Sequence, residues 1–177
     1  EGGGAGFQAA KLLANKEAGS TGSGKIRIAN NKGIRTGTGN IDIAAGGDLK
    51  MLDIKKKGVS AVIYTAGRNA SALVGFDAPD PSLSPFYLTD GGDIRMITKG
   101  HIVGGESQND GRQLINEWLF LQGGGSGNQD TSWWVRPDLF NQSLATWGGG
   151  NIDINAGGNI SNFSASAAST ARFDTNG

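Results

Sequence analysis

The sequence predicts an all-β protein, a parallel β-helix (β-solenoid) with a mainly helical or irregular excursion near residues 106–147. Three observations carry this expectation: a repeated frame, a period-two alternation inside it, and glycine-rich bends between the strands. The frame is clearest at Gly150-Asn151-Ile152-Asp153-Ile154-Asn155-Ala156-Gly157-Gly158-Asn159-Ile160 and at Gly39-Asn40-Ile41-Asp42-Ile43-Ala44-Ala45-Gly46-Gly47-Asp48-Leu49. Weaker copies run from Gly92 to Ile102 and from Gly24 to Ile34. A fixed frame that recurs in one chain is the mark of stacked repeats, which bury a core only by lying on one another.

Three frame positions are aliphatic in every copy: Ile26/Ile28/Ile34, Ile41/Ile43/Leu49, Ile94/Met96/Ile102 and Ile152/Ile154/Ile160. The first two of each set share one face of a strand and are expected to form the buried row. The residue between them is charged each time (Arg27, Asp42, Arg95, Asp153) and points to water. Small residues such as Ala45-Gly46-Gly47 and Ala156-Gly157-Gly158 let the chain turn sharply after each strand. The rival architecture, an antiparallel sandwich with glycine turns, would favour hairpins and would not repeat one frame.

In chain order, residues 1–23 read as a flexible lead-in with a short helix. Phe7 to Ala18 is rich in helix formers and Gly19 could stop it, with a strand pair as the alternative. Residues 24–105 read as coils, with strands expected at 25–29, 33–36, 40–44, 48–53 and 61–65. Residues 68–87 break the pattern, because Pro79, Pro81 and Pro85 cannot sit in an interior strand. Residues 106–147 form the Trp-rich excursion. Asp110 to Gln113 resembles a capping box before Leu114, Ile115, Trp118 and Leu119, although Trp118–Leu121 could also be a strand. Leu139, Phe140, Ser143, Leu144 and Trp147 lie on one helical face after Pro137. Residues 148–177 continue the coils.

Composition narrows the function classes. Glycine is abundant, at 31 of 177 residues, but it follows no G-X-Y period, which excludes collagen. Sixteen basic and sixteen acidic residues cancel, so no nucleic-acid partner is expected. Cysteine is absent, and no apolar run is long enough to span a membrane as a helix. With no initiator methionine or signal segment, the chain reads as a section of something longer.

Candidate chemistry is sparse. The single histidine, His101, occupies the bend position that Asp48 and Asn159 hold in their own frames, which suits a polar corner residue. Asp42 and Asp153 occupy outward slots that suit surface charge better than a catalytic pair, so no enzyme, metal or cofactor is expected. Gly91-Gly92-Asp93 and Gly46-Gly47-Asp48 match only fragments of calcium-binding nonapeptides. Trp133, Trp134 and Trp147 are the candidate ligand contacts, as a sugar-stacking platform. The competing role for these rings is the private core of their segment.

Asn40–Leu49, Gly91–Gly105 and above all Thr131–Arg136 through Gly149–Ile152 and Asn162–Ser164 resemble the repeats of filamentous-haemagglutinin-like large exoproteins. The resemblance covers about residues 39–170. It implies a right-handed parallel β-helix, secreted through an outer-membrane partner to the bacterial surface. It also implies a role in adhesion or biofilm, with adjoining coils, further copies or host and biofilm glycans as partners. The family's N-terminal secretion domain is not in this sequence, and the resemblance supplies no catalytic residues.

Overall fold

The computed structural model describes residues 9–14, 24–29, 32–51, 61–70, 86–105, 115–122, 131–140 and 143–173. Apart from 3-10 turns such as Ile115–Glu117 and Pro137–Leu139, their regular structure is all strand. The strands are β1 (Ala9–Ala14), β2 (Ile26–Ile28), β3 (Gly33–Thr36), β4 (Asn40–Ala45), β5 (Leu49–Met51) and β6 (Val62–Thr65). Next come β7 (Arg68–Asn69), β8 (Leu88–Thr89), β9 (Ile94–Thr98), β10 (Ile102–Val103), β11 (Leu119–Gln122) and β12 (Thr131–Val135). The last are β13 (Ser143–Trp147), β14 (Ile152–Ala156), β15 (Ile160–Ser161), β16 (Ala165–Ala168) and β17 (Ala171–Phe173).

Twelve of these strands form three parallel four-stranded sheets: A (β1-β4-β9-β14), B (β2-β5-β10-β15) and C (β3-β6-β13-β16). The chain enters them in strict rotation, A then B then C, four times over. Each round is one rung, and the register keeps equivalent residues in columns. Ile41, Ile94 and Ile152 form one column, and Ile43, Met96 and Ile154 the next. In sheet B the column is Ile26, Leu49, Ile102 and Ile160. Apart from Ile160, these side chains meet in one apolar cluster between the sheets, joined by Ile28, Met51, Ile63 and Leu144. Full burial of each large member stabilises by about 1.5–3 kcal/mol.

Coverage runs out at the fourth rung. Ile152 and Ile154 are half-buried, and Ile160, expected in the buried row, is 50% exposed. Each lies on the last strand of its sheet, with no fifth strand among the described residues to cover it.

The outer face of sheet C carries a second layer. β11, β12 and β17 form an antiparallel sheet, and β7 pairs with β8. Tyr64, Leu88, Trp118, Val135, Phe140, Ala145 and Trp147 pack between this layer and sheet C. The Trp147 ring lies 4.9 Å from Tyr64 and 5.0 Å from Phe140, at tilted and edge-on angles that aromatic pairs favour. Thr170 ties the layers, its hydroxyl receiving the Leu88 N–H at 2.8 Å and donating to the Leu88 carbonyl at 3.2 Å.

Three expectations are corrected. Ala9–Ala14 is a strand, not part of a helix: parallel pairing along β4 outweighs the local helix preference of Ala, Lys and Leu. The described residues of the Trp-rich segment form strands and short 3-10 turns, and the capping-box stretch Asp110–Gln113 lies outside them. Its final strand, β13, belongs to sheet C between β6 and β16, so residues 106–147 are not a single excursion. The copy beginning at Gly24 is out of phase with the others. Ile26 pairs with Leu49, Ile28 with Met51 and Ile34 with Ile63, so the true predecessor of β4 is β1.

Glycine in the frame answers to space more than to backbone dihedrals. A Cβ on Gly92 would stand 2.3 Å from the Gly39 carbonyl oxygen, and one on Gly150 would stand 2.1 Å from that of Gly92. Neither residue has positive φ. The rungs approach so closely at this corner that no side chain fits between them.

Candidate functional site

Two regions hold the residues singled out by sequence. The first is the tryptophan segment. Trp134 and Trp147 are 2% and 0% exposed, so neither offers a face to a sugar. Trp134 stacks on Phe120 at 5.8 Å, held by the β11–β12 pairing of the two residues. Trp147 sits at the centre of the second core because β13 is sandwiched between two layers. Trp133 alone is half-buried, on the wall of a recess of about 360 Å3 with Ile115, Trp118, Leu119 and residues 166–169. The three rings are therefore divided between core and surface and make no shared platform. The double alternation of the strand sets this outcome, since Trp133 and Trp134 must point to opposite faces of β12.

The second region is the corner where sheet A passes to sheet B. Here Lys25, Asp48, His101 and Asn159 stack rung upon rung. Lys25 Nζ lies 3.0 Å from Asp48 Oδ2. The His101 N–H donates to Asp48 Oδ1 at 3.0 Å, and the Asn159 N–H donates to His101 Nδ1 at 2.9 Å. Because Nδ1 accepts, the neutral ring carries its proton on Nε2. The backbone N–H of His101, then the Lys25 ammonium, hold the Asp48 carboxyl below its usual range. His101 is thus a corner rung, the role its frame position suggested.

A matching column stands at the corner from sheet C to sheet A. The Asp93 N–H donates to Asn40 Oδ1 and the Asn151 N–H to Asp93 Oδ1, both at 2.8 Å. Just inside it, buried threonines close each turn. Thr65 Oγ1 donates to the Gly92 carbonyl and Thr146 Oγ1 to the Gly150 carbonyl, both at 2.8 Å, and Thr36 makes the equivalent bond to Gly39. The polar frame residues at these corners are spent on holding rungs together.

Beside the Lys25–Asp48–His101 column lies a recess of about 320 Å3, lined by Lys25, Ile26, Arg27, Asp48, Lys50, His101 and Val103. Sequence reasoning did not find it. The false phase of the first frame set Arg27 level with Asp42, whereas the register sets it beside Lys50. The usable signal was the pattern Lys-Ile-Arg-Ile against Asp-Leu-Lys-Met, which aligns β2 with β5. Among the described residues, no three His, Asp or Glu side chains are grouped as metal ligands would be, and no helix is long and apolar enough to cross a membrane. No known protein family, curated protein or solved structure matches the chain.

Proposed function

We propose that this chain is a structural segment of a secreted bacterial cell-surface filament of the filamentous-haemagglutinin-like kind, built as a right-handed parallel β-helix and serving adhesion or biofilm. One observation carries the reading: the strict rotation of strands through three sheets, with in-register aliphatic columns inside and polar columns at the corners. A chain wound this way is a rod section whose stability comes from neighbouring rungs, and it adds length without adding a catalytic cavity. The half-buried fourth rung suits further coils or another copy as the adjoining partner. Export through an outer-membrane partner belongs to the same reading and rests on the resemblance.

The carbohydrate-module alternative loses its stated basis, because two of its three rings are core. Beads coated with the purified chain, offered to cultured epithelial cells and to preformed biofilm, test the role. Retention well above beads carrying an unrelated all-β protein is the expected result. Retention equal to the control would sink the adhesive role, whatever the fold.

A further inference from the structure

The outward columns of sheets A and B obey opposite charge rules. In sheet A the register lines up Asp42, Arg95 and Asp153, so the sign alternates from rung to rung. Arg95 Nε lies 3.7 Å from Asp153 Oδ2. In sheet B the column reads Arg27, Lys50, Val103 and Ser161. Two cations therefore occupy directly paired positions on strands about 4.8 Å apart, where like charges repel. Neither has an acidic partner among the described residues. The one carboxylate lining the recess, Asp48, already serves Lys25 and the His101 N–H. Among the described residues nothing offsets the repulsion between Arg27 and Lys50.

We propose that this recess binds the carboxylate groups of an acidic, uronate-type polysaccharide. The inference goes beyond the filament reading and stands on the charge column and the recess alone. A guanidinium next to an ammonium suits a planar carboxylate, which Arg can grip with two parallel hydrogen bonds. About 320 Å3 falls within the range of small-ligand sites and far exceeds the roughly 30 Å3 share of one water, so the space suits a sugar ring better than a bare ion. Val103 supplies an apolar wall, and with Nδ1 taken by the Asn159 N–H, His101 has Nε2 left to bond a hydroxyl. The lining comes from β2, β5 and β10 side by side, so its ligand lies across the face of sheet B, whereas an acidic peptide added as a strand would run along the outer edge of β2.

Calorimetric titration of the chain with a galacturonate tetrasaccharide, its fully methyl-esterified form and a sulfated tetrasaccharide tests the proposal. The acid form should bind saturably and weaken as salt rises, and the ester should not bind. Affinity should fall at least tenfold in the Arg27→Gln/Lys50→Gln double variant and stay unchanged in Arg95→Gln. Equal binding of ester and acid, tighter binding of the sulfated sugar, or undiminished binding by the double variant would each overturn it. Melting supplies a second readout: the double variant should be at least as stable as the wild type, because a repulsive pair is relieved. A markedly lower melting temperature would make Arg27 and Lys50 structural residues and end the proposal.

Discussion

β13 and β14 follow one another in the chain, have five residues each and are separated by a single corner, yet they live in different surroundings. All five positions of Ser143–Trp147 are buried, whereas Ile152–Ala156 alternates between half-buried and exposed. The cause lies in what each sheet carries on its outside. Sheet C is covered by the layer that holds residues 115–122 and 131–140, so the outward Ala145 and Trp147 are as buried as the inward Leu144. Sheet A carries Arg95 and Asp153 outward at exposed positions. The lesson is that a strand's pattern reports how many of its faces are covered, and two covered faces erase the alternation.

The largest effect that could break this comparison is at Trp147. Trp147→Ala should cost about 3–5 kcal/mol in denaturant unfolding, as for a large ring removed from a filled core. Trp147→Phe should cost much less, because the indole N–H it removes has no acceptor among the described residues. A loss under about 1 kcal/mol for the alanine variant would mean the second layer is not packed on sheet C.

The inner rows sharpen the contrast between a middle rung and the last one. Met96→Ala should cost about 2–5 kcal/mol, while Ile154→Ala, half-buried, should cost less than half as much. Equal losses would mean that the fourth rung is covered in solution. Next in size is Thr65→Val, which leaves the Gly92 carbonyl without its hydroxyl donor at a buried corner. A cost of about 1–2 kcal/mol is expected, read from the denaturation midpoint.

The smallest effect is at Asp48. Its carboxyl is held below the ordinary range, so it contributes stability that is fully present above the unfolded value. That contribution is lost as pH falls through the lower folded value, that is, below about 4. Asp48→Asn should therefore flatten the acid limb of a melting-temperature profile while leaving neutral pH almost unchanged. An acid limb identical to wild type would show that the corner is held by the backbone alone.

Much of sheet A could be read directly, because Ile-x-Ile between charged residues and glycine leaves few other structures. The strands expected at 33–36, 40–44 and 61–65 lie within a residue of β3, β4 and β6. The misread parts share a physical reason. In Ala9–Ala14 nothing local marks a strand, and the pairing that makes it one is supplied by β4, far along the chain. In β13, apolar residues on both faces mimic a helical stripe. The basic recess was hidden by phase, since Lys25–Ile28 fits the frame at two registers and only the neighbouring strand decides between them.

The alternating column Asp42, Arg95 and Asp153 has a consequence for how such a chain finds its own register. Rungs that share a frame are nearly interchangeable as partners, so a folding chain could lay its second rung against its fourth and leave out the third. That shortcut would set Asp42 opposite Asp153. Like charges on paired strands repel, so in this column the skipped rung is penalised while Arg95 is attracted to its correct neighbours. A row of surface charges worth little to the finished fold thus acts as a parity check on its assembly.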